Sequence, residues 1–115
     1  MTVEEFLAWE DQQEERWEFD GFEPVAMTGG TLRQSMIQVN LLGELRSRLR
    51  GGPCQAIGSH LKLSVSHSSI RYPDAYVICS RQDGKTTVAR DPVVIFEILS
   101  PSTAETDRTI KNAEY

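Results

Sequence analysis

Apolar and polar positions follow two different periods along this chain, and the changes of period mark out its elements. Phe6, Leu7 and Trp9 give a short apolar face behind the capping-box pair Thr2 and Glu5, which predicts a helix over residues 3–12. Arg16 to Phe19 and Phe22 to Met27, joined through Asp20-Gly21, read as a hairpin. Pro24 suits an edge strand there, because it has no N–H to give a neighbour. Gly29-Gly30 ends that pattern. From Thr31 onward Leu32, Met36, Val39, Leu42, Leu45 and Leu49 recur at helical spacing, one face of a long helix over about 32–50 that Gly51-Gly52-Pro53 stops.

After Pro53 the period drops to two. Leu61, Leu63 and Val65 alternate with Lys62, Ser64 and Ser66, a half-buried strand, and His67-Ser68-Ser69 reads as a turn. Ala75 to Cys79 is a short apolar strand, and residues 80–92 form a polar loop containing Asp83-Gly84. Val93 to Leu99 is apolar without alternation except at Glu97, which predicts a central strand covered on both faces. A helical segment is expected after Pro101-Ser102-Thr103. These elements belong to one α/β (α+β) domain.

Composition narrows the picture modestly. A chain of 115 residues has room for one compact domain, and 39% apolar with 25% charged residues is ordinary for a folded one. No apolar run approaches a membrane span, and the acidic N-terminus lacks the basic and apolar regions of a secretory signal, so a cytoplasmic protein without a membrane is expected. Cys54 and Cys79 have no CxxC partners and read as free buried thiols. His60 and His67 flank a strand and share no zinc-like spacing with either cysteine, so neither reads as a ligand. The net charge of −5 argues against simple polyanion binding. The acids crowd the stretch from Glu4 to Glu18, however, and from Arg33 to Arg90 basic residues outnumber acidic ones. Arg46, Arg48 and Arg50 fall in the last turns of the long helix, where cations suit the helix dipole.

The candidate chemistry lies in two carboxylates. Glu97 interrupts an apolar run, and a buried carboxylate needs a cation, a proton or water beside it. Asp74 opens the 75–79 strand directly after Pro73. If that strand pairs antiparallel with the 93–99 strand, Asp74 falls opposite Ile98 or Glu97, with facing Cβ atoms about 5 Å apart. Such a pair can hold a divalent cation, share a proton, or pair with an arginine such as Arg71 or Arg108.

Arg71-Tyr72-Pro73-Asp74, Glu97-Ile98-Leu99-Ser100-Pro101-Ser102-Thr103, and then Asp107 and Lys111 resemble the Uma2 or DUF820 family of the PD-(D/E)XK nuclease superfamily. The opening Met1–Trp9, Arg16-Trp17-Glu18 with Asp20-Gly21, and the helix from Thr31 fit the same pattern, so the resemblance spans nearly the whole chain. It implies a restriction-endonuclease-like core of helix, three-stranded antiparallel meander, helix and further strand, acting on DNA with Mg²⁺ or Mn²⁺. Asp74, Glu97 and the Ile98 carbonyl would hold the metal. Leu99 stands where the motif lysine is expected, and Lys111 is the substitute. Glu18, Gln34 and Asp107 are possible accessory residues; Gln34 stands where relatives carry a histidine, Glu18 reads first as a surface cross-strand charge, and Asp107 and Lys111 also fit a surface ion pair. The family domain is longer, so residues 1–115 read as a C-terminally shortened domain whose open sheet edge favours a homodimer or larger assembly. A catalytically inactive relict serving as an interaction or DNA-binding module is the alternative.

Overall fold

The computed structural model describes residues 1–27 and 29–99. Lys111, Asp107, Arg108 and the segment following Pro101 lie outside them. The order is α1 (Val3–Glu10), β1 (Trp17–Phe19), β2 (Pro24–Ala26), α2 (Leu32–Leu49), β3 (Gln55–Gly58), β4 (Lys62–Val65), β5 (Ser69–Arg71), β6 (Ala75–Ile78), β7 (Val88–Ala89) and β8 (Pro92–Phe96). The strands form a five-stranded sheet, β2-β1-β5-β4-β7, and a three-stranded sheet, β3-β6-β8. All pairings are antiparallel except that of β4 with β7.

Local chemistry explains most boundaries. The Thr2 side chain accepts from the Glu5 N–H at 3.1 Å and the Glu5 carboxylate accepts from the Thr2 N–H at 2.8 Å, which starts α1 as expected. That hydrogen bonding holds the Glu5 carboxyl below the usual carboxylate range. The Asp20 carboxylate accepts from the N–H groups of Phe22 and Glu23 and closes the β1–β2 turn. Pro24 does lie on an edge strand. Leu63, Val65, Tyr76, Ile78 and Ala89 form one core cluster, with Ile57, Leu61 and Ile95 against it. Phe6, Phe19 and Ile70 form a second, where the rings of Phe6 and Phe19 stack at 5.1 Å.

Three expectations are corrected. The strand 93–99 is not central: the covered strand is β6, while β8 pairs with β6 alone among the described residues and leaves Val93 62% exposed. Its unbroken apolar run therefore does not mean cover on both faces here. Only part of the apolar stripe of α2 packs; Leu32, Met36 and Val39 are exposed, and the helix faces the sheet with Gln34, Gln38, Leu41, Leu42, Leu45 and Leu49. Finally, Cys54 and Cys79 are not free thiols but are joined by a disulfide, with Cα atoms 4.0 Å apart. The pairing of Gln55 with Ile78 places the next two residues outward, Cys54 and Cys79, opposite each other. That register joins positions 25 apart in sequence, beyond what cysteine spacing reveals.

Candidate metal centre

The β6–β8 register sets the site. Ala75 pairs with Phe96 and Tyr76 with Ile95, so the next step along both strands brings Asp74 opposite Glu97. The Ile98 N–H donates to Asp74 Oδ2 at 2.6 Å, locking the residue after Glu97 to the aspartate. Asp74 Oδ1 accepts from no group among the described residues and faces a half-buried setting. Pro73, fully buried, fixes the entry into β6. The two acidic residues that the sequence singles out thus stand opposite each other in register at one end of the three-stranded sheet.

The long helix reinforces this corner through a residue that sequence reasoning missed. The Gln38 side-chain amide donates to the Asp74 carbonyl at 2.7 Å and to Ser59 Oγ at 3.0 Å. α2 sits close enough for this because Gly58 has no side chain: a Cβ there would meet Leu42 Cδ1 at 3.2 Å. A polar residue within the inward stripe was the available signal, but the stripe chosen from the sequence ran through Leu32, Met36 and Val39 instead.

The accessory candidates have other partners. Gln34 caps its own helix: its side-chain oxygen accepts from the Thr31 N–H at 2.8 Å, while its N–H donates to Thr31 Oγ1 at 3.1 Å. Glu18 is cross-strand, as expected, but buried at 5% exposure rather than on the surface. It accepts from the Tyr72 N–H at 2.8 Å and lies 3.4 Å from Arg71 Nη1, itself buried. Burying both charges is tolerable because each has the other, and the pair holds the backbone two residues before Asp74. Arg71, one of the open alternatives for pairing a site carboxylate, pairs with Glu18. His60 Nδ1 lies 2.9 Å from Arg16 Nη2, a surface contact.

Glu10 was overlooked as well. It is buried, accepting from Lys62 Nζ at 2.7 Å, the Tyr72 hydroxyl at 2.9 Å and the Trp17 N–H at 3.1 Å. Burial, reinforced by the Glu10 carboxylate, pushes the Tyr72 hydroxyl above the ordinary tyrosine range, and burial alone does the same to Tyr76. Glu10 and Glu18 together pin both ends of Tyr72, its hydroxyl and its N–H, and so brace the Tyr72-Pro73-Asp74 segment.

The donor set at Asp74 and Glu97 is hard oxygen only. No group of three or more His, Cys, Asp or Glu gathers among the described residues, so a cation here would draw further ligands from carbonyls, water and substrate. Two carboxylates plus a backbone carbonyl are the hard oxygen donors that suit Mg²⁺ or Mn²⁺. No helix of the described residues is long and apolar enough to cross a membrane.

Comparison with known proteins places the chain in a family. The Uma2 family, described as "Putative restriction endonuclease", matches residues 3–115. The uncharacterized protein slr1290 of Synechocystis sp. is 36% identical over 110 residues, covering 94% of this chain and 58% of its own length. A second Synechocystis protein, the uncharacterized sll1609, is 28% identical over 119 residues, with 100% and 67% covered. In structure the chain is similar to a "putative nuclease belonging to DUF820" from Anabaena variabilis, with a TM-score of 0.77 at 23% identity, over 97% of this chain and 65% of that one. The chain therefore spans 58% and 65% of the lengths of slr1290 and the Anabaena protein. The restriction-endonuclease-like fold is that of the solved relative, and the chain belongs to the Uma2 family.

Proposed function

We propose that the protein is a metal-dependent endonuclease that hydrolyses DNA phosphodiester bonds, with Asp74, Glu97 and the Ile98 carbonyl holding Mg²⁺ or Mn²⁺. The observation that carries the reading is the β6–β8 register, which brings Asp74 opposite Glu97 at one end of the sheet. Two facing carboxylates repel unless a cation or proton lies between them, and this pair sits in a family described as nucleases. When bound, the metal supplies an acidified water and an electrophile for the phosphate. The chain's own contributions are positional. The Ile98 N–H fixes one oxygen of Asp74 and leaves the other to bind. Gln38 holds the Asp74 peptide, and Tyr72, pinned at both ends, keeps the preceding turn from shifting. Lys111 takes the role of the missing motif lysine, orienting or deprotonating the attacking water.

Plasmid nicking tests the assignment. Glu97→Gln should lower Mn²⁺-dependent nicking by about 10²-fold or more. Lys111→Ala should reduce nicking yet leave metal uptake in place. Wild-type protein that takes up metal without nicking would favour the inactive relict. Glu97→Gln protein that nicks like wild type would remove the pair from the chemistry.

A further inference from the structure

The two ends of β8 face different polar surroundings. The Glu97 end belongs to the carboxylate pair. The Pro92 end opens on a cleft of about 420 Å³ between the β4–β5 turn and the loop entering β8. Ser64, Ser66 and His67 line one wall of the cleft, and Arg90 and Asp91 line the other.

Three observations single this cleft out. Ser66, His67 and Asp91, at φ 52°, 59° and 55°, are the three non-glycine residues with positive φ among those described, and all three line it. Ser66 and His67 are the central residues of the tight β4–β5 turn, closed by the Ser68 N–H donating to the Val65 carbonyl at 3.2 Å, and such a hairpin turn needs positive φ at both; Asp91, just before Pro92, holds a backbone region that side chains disfavour. Secondly, Arg90 is held in place by its backbone: its N–H donates to the Gln82 side chain at 3.2 Å, and its carbonyl accepts from the same amide at 2.8 Å. The third observation is that the Arg90 guanidinium and the His67 imidazole have no hydrogen-bond or ion-pair partner among the described residues, although Asp91 is adjacent in sequence.

We propose that this cleft binds the sugar–phosphate backbone of a nucleic-acid strand, with Arg90 and His67 taking one phosphodiester. The proposal rests on the nuclease reading for its ligand. A guanidinium offers two parallel N–H donors to a phosphate, and the serine hydroxyls add neutral donors. Four residues lie between Pro92 and Glu97, five steps or about 16 Å of strand. Asp91 opposes the anion, and its charge gives the site a signature of opposite signs.

Binding of a short fluorescein-labelled DNA duplex to the full chain in EDTA, followed by anisotropy across a salt series, tests this. Arg90→Ala should weaken binding about 10-fold and make the slope of log K against log salt shallower by about 1. Arg90→Lys should keep most of the slope. Asp91→Asn, which tolerates the same backbone conformation, should tighten binding about 3-fold. Millimolar inorganic phosphate at matched ionic strength should not compete. Unchanged affinity in both Arg90→Ala and Asp91→Asn would overturn the site, as would loss in both alongside a lowered melting temperature, which marks a structural role. Full competition by inorganic phosphate would make it a simple anion site and overturn the nucleic-acid assignment, and absence of wild-type binding would overturn it outright. Nicking in Mn²⁺ separates the two readings: charge-sensitive binding without cleavage sinks the nuclease alone, and cleavage with binding indifferent to Arg90 sinks the cleft alone.

Discussion

Glu10 and Glu44 both lie on helices and both meet a cation, yet their surroundings set their worth apart. Glu44 faces Arg48 at 2.8 Å with both side chains largely in water, so Arg48→Ala should change stability by no more than about 0.5 kcal/mol. Glu10 is buried and satisfies three donors, and its removal strands Lys62, Tyr72 and Trp17. Glu10→Ala should therefore cost about 3 kcal/mol in urea unfolding. A loss near that of Arg48→Ala would show that water replaces the carboxylate. The same network bears on alkaline pH. Tyr72 and Tyr76 hold their protons above the ordinary tyrosine range, so an unfolded chain loses those protons first and stability falls as pH rises past about 10. Absorbance titration at 295 nm should show both ionising later in the folded chain than in denaturant. In sequence Glu10 was one more member of an acidic stretch, because nothing local distinguishes a carboxylate that later meets Tyr72 across 62 positions.

The elements with strong local signals were the legible ones. Thr2 with Glu5, Thr31 with the periodic run after it, and Asp20-Gly21 each carry a cap or a turn that acts within a few residues. The strands β3, β5 and β7 did not show, because each holds a single large apolar residue (Ile57, Ile70 or Val88) and so repeats none at a spacing of two. Non-local pairing was equally hidden, and the disulfide follows from it. Reduction of Cys54–Cys79 frees a 25-residue separation in the unfolded chain and should lower stability by about 3 kcal/mol, read as a lower melting temperature in reductant. An unchanged melting temperature would mean that the sheet pairing alone fixes this corner. At the interface of α2 with β6, Gln38→Ala should cost about 1 kcal/mol. It should also weaken Mn²⁺ affinity about 10-fold, since the Asp74 peptide loses its side-chain support.

For the whole molecule, the functional core of the reading was open to inspection because it lies in two short motifs on adjacent strands. Pro73-Asp74 and Glu97-Ile98 are each recognisable within a few residues, and the register between β6 and β8 sets them opposite each other. What the sequence misjudged was cover: the apolar character of Val93 and Val94 suggested burial, while both are exposed at the β8 edge among the described residues. The central claim concerns the cation between the two carboxylates. A crystal soaked in Mn²⁺ and measured for anomalous scattering addresses it most directly. We expect one peak within bonding distance of the Asp74 and Glu97 carboxylates, about 2.2 Å from oxygen, and its loss in Asp74→Asn. No peak there, or a peak that survives Asp74→Asn, would contradict the account.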